Sequence, residues 1–156
     1  MHQLIITLMA IALSVAALYT TVSYINPTAG ISRDASNTVE AGFRDLSQAL
    51  LDYNDTVGHY LPPAVNWTAT LTPAYTFMPR APLGMTWDYG LSGGAYYLCL
   101  TGNISEAQYK GLARYRGKVS AQQFFVSSIG CAAQTNSTAP TTWPSLTYAT
   151  YWVTPY

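Results

Sequence analysis

Asp55 and His59 stand four residues apart, a spacing that would set a carboxylate beside an imidazole on one helix face, as general acid-base chemistry needs. His59 is the only histidine beyond residue 31, and no Gly-x-Ser-x-Gly elbow, HExxH pair, phosphate loop or cysteine-histidine signature accompanies it. Flanked by Gly58 and Pro62, it reads as a turn residue, and the chain reads as a non-enzyme with no cofactor, metal or small-molecule substrate. Zinc would need four ligands, and only His59 could join the two cysteines, Cys99 and Cys131. Lying beyond a membrane segment, that pair reads as a disulfide. Closing the roughly 30-residue loop between them would remove about 3–4 kcal/mol of denatured-state freedom.

Lys110, Arg114, Arg116 and Lys118 cluster, with Tyr109 and Tyr115 interleaved. On a chain with 7 basic and 7 acidic residues this patch is too small to support a nucleic-acid partner. Acidic residues, Asp45 and Asp52 among them, gather earlier, so these opposite patches could meet on neighbouring copies or serve as solvated faces. Sequons at Asn54, Asn66, Asn103 and Asn136 are candidate N-glycosylation positions, whereas Asn26 is blocked by Pro27. The aromatics Tyr89, Tyr96, Tyr97, Trp143, Tyr148, Tyr151 and Trp152 could form a sugar-binding face, although such residues more commonly build sheet cores and subunit interfaces.

What must position these residues begins at the first stretch, His2 to Ile25, since no charged side chain precedes Arg33. About 20 apolar residues span a ~30 Å hydrocarbon core. Leu4, Ile5, Leu8, Ile11, Val15, Leu18 and Val22 would form that anchor, and the small residues Ala10, Ala12, Ser14, Ala16 and Ala17 would let such helices approach closely. The lack of a basic flank argues against a cleaved secretory signal and predicts a short leader removed before Met1. Charged residues are only 9% of the chain against about 25% in ordinary soluble proteins, a balance found on extracellular surfaces.

Pro27 and Gly30 predict a kink or melted turn after the anchor. From Arg33 to Tyr53 the residues Val39, Phe43, Leu46, Leu50 and Tyr53 form an amphipathic stripe, which Gly58 and Pro62-Pro63 end. Leu61 to Gly84 reads as a connection without periodicity. Met85–Leu91 and Ala95–Leu100 read as a hairpin about Ser92-Gly93-Gly94. Ser105 and Gln108 cap a helix over Glu106 to Arg116, and Gln123–Ser128 and Leu146–Val153 read as further strands. The expected fold is α+β: a long N-terminal helix, hydrophobic then amphipathic with a kink near Pro27, packed on a mostly antiparallel sheet with one small inserted helix. Residues 1–31 form the hydrophobic helix and 32–156 a globular domain.

This layout resembles a type IV pilin or related filament subunit, and Met1 at the mature start resembles the type IVb branch. The resemblance rests on the uncharged first helix, its weakness at Pro27 and Gly30, the amphipathic continuation, the Pro-rich loop, the sheet and the late cysteine pair. Where that family has an acid at the fifth mature position this chain has Ile5, so His2, Gln3 and Thr7 are expected to compensate the Met1 amine. The resemblance implies a structural subunit of an extracellular pilus, its N-terminal helices forming the core and its globular domains the surface. The implied partners are other copies of itself, the inner membrane before assembly, and the pilus assembly machinery. The alternative is a membrane-tethered extracytoplasmic binding domain, either an adhesin or a minor tip pilin.

Overall fold

Val39, Phe43, Leu46 and Leu50 are each wholly buried, because they share one face of helix α1 (Pro27–Val57). Tyr53 extends the stripe, half-buried against the same core, while Arg44, Asp45 and Gln48 on the other side face solvent. Burying one such apolar side chain contributes about 1.5–3 kcal/mol, so packing rather than intrinsic propensity holds this helix. That margin also explains a correction. Pro27 is helical and Gly30 lies inside α1, so the melted turn expected over those residues is absent from Pro27 onward. A glycine in a helix costs only about 1 kcal/mol, which the buried stripe outweighs.

The computed structural model describes residues 7, 9–14, 27–58 and 62–153. Ile25 and Asn26, the other half of the expected kink, lie outside them. The chain divides into two compact units, Met1–Gly30 and Ile31–Tyr156. In the first, residues 9–14 are helical and exposed. In the second, α1 packs on a four-stranded sheet of β1 (Met85–Ser92), β2 (Ala95–Ile104), β3 (Phe124–Ser127) and β4 (Ser145–Val153). All three pairings are antiparallel, in the order β1-β2-β4-β3. Gly93 and Gly94 turn the β1-β2 hairpin at φ values of 60° and 81°. Two successive positive φ angles match the twist of the strands, and only glycine takes them at low cost. Leu98, Leu100 and Ile104 of β2, with Phe124, Val126, Ala149 and Val153, meet the α1 stripe in one core.

Within residues 62–153, two short α-helices rather than one accompany α1. Helix α2 (Trp67–Leu71) follows a 3-10 turn at Ala64–Asn66 within the connection that shows no periodicity in the sequence. Five residues are too few to show periodicity or to hold a helix alone; Trp67 and Leu71, four apart and buried, anchor it to the core. Helix α3 (Glu106–Arg116) begins with the capping box: Ser105 Oγ accepts from the Gln108 N–H, and the Gln108 side chain accepts the Ser105 N–H at 2.9 Å.

Gly111 lets α3 lie against α1. A β-carbon there would sit 2.6 Å from the Ser32 carbonyl oxygen and 2.8 Å from the Ala35 methyl carbon. Backbone cannot yield as a flexible side-chain tip does, so Gly111→Val is expected to lower stability by about 1–3 kcal/mol despite the loss of a helical glycine. Urea unfolding checks this; an unchanged midpoint would show that the two helices separate freely.

Candidate functional site

Alternation along β2 sends Leu98 and Leu100 into the α1 core and turns Tyr97, Cys99 and Thr101 to the opposite sheet face. There the disulfide between Cys99 and Cys131, with Cα atoms 5.9 Å apart, ties residues 128–144 to the sheet. Two further sets of bonds hold that segment. The Val126 N–H donates to Asn136 Oδ1 and the Ser137 N–H donates to the Val126 carbonyl, each at 2.9 Å. The Trp152 indole N–H donates to the Ala133 carbonyl at 3.0 Å. Because β3 is an edge strand, the Asn136 and Ser137 contacts close backbone groups that would otherwise be open to strand addition. The segment between β3 and β4 is thus fastened to the sheet.

Beside this segment lies a shallow open depression of about 340 Å³, lined by Ser92, Gln122, Phe125, Gln134 and Trp152 with Gly93 and Ala95. Among the described residues no titratable side chain lines it. Neutral amides and a hydroxyl beside two aromatic rings suit contact with a neutral polar ligand and offer nothing for proton transfer. Gln122 and Gln134 carry no sequence signal that singles them out; only the closed fold brings them to Trp152. No family model, curated protein or solved structure matches the chain.

The aromatics are divided between surroundings rather than gathered on one face. Tyr89 lies 5.9 Å from Tyr96 and 5.6 Å from Trp67, and Tyr151 stacks 5.2 Å from Phe43, all on the α1 side. Tyr97 and Trp152 meet at 5.7 Å on the opposite side, Trp143 packs on Tyr109 at 5.3 Å, and Tyr148 is half-buried.

Several of the sequence-derived charges have partners within the chain. Lys118 pairs with Glu40, Lys110 with Glu106 at 2.7 Å, and Asp45 with its neighbour Arg44 at 3.4 Å. Asp52 accepts a hydrogen bond from Gln48 at 2.8 Å. Arg114 and Arg116 make no ion pair among the described residues. Exposed pairs contribute only about 0–1 kcal/mol, so the link from Lys118, just after α3, to Glu40 of α1 adds little to stability. Asp55 is exposed, and His59 lies outside the described residues, as do Met1, His2, Gln3, Leu4, Ile5, Leu8, Val15, Leu18 and Val22. Thr7 and Ile11 are helical and exposed. No helix among the described residues is long and apolar enough to cross a membrane, and no three His, Cys, Asp or Glu side chains among them are grouped to hold a metal.

Burial pushes the Tyr89 phenol well above its usual range, and neighbouring Tyr96 and Tyr53 add to the shift. Tyr115 is raised by burial as well, then by Tyr151 and Glu40. Above pH ~10 the unfolded chain sheds these protons while the folded one keeps them, so stability is fully present below ~10 and falls as pH rises. The slope is up to about 1.4 kcal/mol per pH unit for each tyrosine. Urea unfolding at pH 8 and pH 11 measures it, and Tyr89→Phe should lessen it, Tyr115 and Tyr97, both also raised by burial, keeping the remainder. The Tyr89 hydroxyl has no hydrogen-bond partner among the described residues, so at neutral pH that variant is expected to hold or gain about 1 kcal/mol.

Proposed function

We propose that this chain is a structural subunit of an extracellular pilus filament of the type IV pilin kind. Residues 1–31 pack into the filament core and the 32–156 domain forms the surface. The observation that carries this reading is α1, which starts at Pro27 inside the uncharged stretch and runs unbroken into the buried stripe from Ala35 to Leu50. A plain tether would more often join its domain through a flexible linker. An antiparallel sheet under that helix, α3 between β2 and β3 in the chain, and the Cys99–Cys131 disulfide support the same reading. The partners are further copies of the chain, with the inner membrane and an assembly machinery engaged before polymerisation. No reaction is implied.

The depression at Trp152, Gln122 and Gln134 favours the second reading, a membrane-tethered extracytoplasmic binding domain such as an adhesin or a minor tip pilin. Negative-stain microscopy of surface material sheared from cells that make the chain separates the two. Helical fibres composed mainly of this chain are expected. A chain confined to the membrane fraction, with no fibres, would overturn the filament reading and favour the tether.

A further inference from the structure

The four sequons differ in whether their reacting groups are free. Oligosaccharide transfer to asparagine uses the side-chain amide and the hydroxyl two residues later. In Asn54-Asp55-Thr56, the Thr56 hydroxyl donates to the Asp52 carbonyl at 2.7 Å, and Asn54 is half-buried on α1. In Asn103-Ile104-Ser105, the hydroxyl is held in the α3 capping box. In Asn136-Ser137-Thr138, Asn136 Oδ1 accepts the Val126 N–H at 2.9 Å, closing the β3 edge. Asn66-Trp67-Thr68 alone of the four leaves both groups without a hydrogen bond among the described residues. Asn66 is the N-cap of α2 but makes no side-chain capping bond, and both Asn66 and Thr68 are exposed.

Its setting favours access. Trp67 is buried, whereas Asn66 and Thr68 on either side of it are exposed. Helix α2 has only five residues and is preceded by a 3-10 turn after Pro62-Pro63. A helix that short has few internal bonds to break, so opening it costs chiefly the burial of Trp67 and Leu71 and leaves the sheet ladder intact. The other three acceptors would have to surrender a helix bond, a cap or an edge closure.

We propose that Asn66 is the N-glycosylation site of this chain, an inference that rests on the reading of residues 32–156 as extracytoplasmic. The co-reactants are a transferase and an oligosaccharide joined through phosphate to a polyprenyl lipid. Asn66 Nδ2 attacks the anomeric carbon of the donor sugar and forms the N–C bond. The bond from that carbon to the phosphate oxygen breaks, its electron pair leaving on the phosphate, and the amide gives up one proton to a base of the transferase. The glycan then stands on the connection between α1 and β1.

Peptide mass spectrometry of the chain purified from the cells that make it tests this. A sugar mass increment is expected on the peptide containing Asn66. It should vanish in Asn66→Gln and in Thr68→Ala, return in Thr68→Ser, and persist in Asn136→Gln. Urea midpoints of the Asn66 and Thr68 variants should match the parent, since neither side chain holds the fold. A bare Asn66 peptide would overturn the proposal, whether the other sequons are bare or modified. Fibres built of chains with bare Asn66 would overturn it while leaving the filament reading intact; sugar at Asn66 on a chain that forms no fibres would uphold it while the filament reading falls.

Discussion

Phe43→Ala is expected to lower the stability of the 31–156 unit by about 3–5 kcal/mol, a large share of the 5–15 kcal/mol typical of a domain. Phe43 is wholly buried at the centre of α1. Four rings from four other elements surround it: Trp87 of β1 at 5.0 Å edge-on, Tyr115 of α3 at 6.1 Å, Phe124 of β3 at 5.6 Å and Tyr151 of β4 at 5.2 Å. Removing the central ring therefore takes a packing partner from every layer at once. Those neighbours are themselves held in place: the Trp87 indole N–H donates to the Pro79 carbonyl at 2.9 Å, and Tyr151 Oη accepts from Gln123 at 2.7 Å. Rings so fixed cannot collapse into the void, which is why the loss should fall in the upper part of the large-to-small range. Phe43→Leu, which refills most of the volume, should cost less than half as much. Urea unfolding of both variants measures the difference, and a loss below ~1 kcal/mol for the alanine variant would mean that the core closes around the gap.

The paired substitution Cys99→Ala with Cys131→Ala is expected to cost about 2–5 kcal/mol, since the closed loop restricts the unfolded chain. The structure adds where the loss should appear. Cys131 lies in the segment whose other fastenings are the Asn136 and Ser137 bonds to Val126 and the Trp152 bond to Ala133. Without the disulfide, residues 128–144 are held by those few hydrogen bonds, each worth about 0.5–1.5 kcal/mol net, and by the packing of Trp143 on Tyr109. Hydrogen exchange at the Val126 amide should therefore accelerate more than at the Leu98 or Leu100 amides of central β2. Uniform acceleration across the sheet would place the whole effect in the unfolded state, and no acceleration would show that the segment stays docked unaided.

The amino-acid sequence by itself determined the features that rest on short-range physics. The stripe Val39, Phe43, Leu46 and Leu50 is legible because 31 residues of helix repeat its period several times. The α3 cap is legible because Ser105 and Gln108 complete it within one turn, and the hairpin because two adjacent glycines need no distant partner. The disulfide followed from there being two cysteines and no other ligand set. Helix α2 was illegible because five residues carry no period and only the burial of Trp67 and Leu71 makes it helical. Placing the last strand, β4, between β2 and β3 was likewise beyond local pattern, since it depends on contacts between segments far apart in the chain. The same closure decided which sequon keeps its groups free, which aromatics face α1, and that Lys118 meets Glu40 across 78 residues. Side-chain period tells a residue that it must face inward or outward; only the packed sheet decides what it meets there.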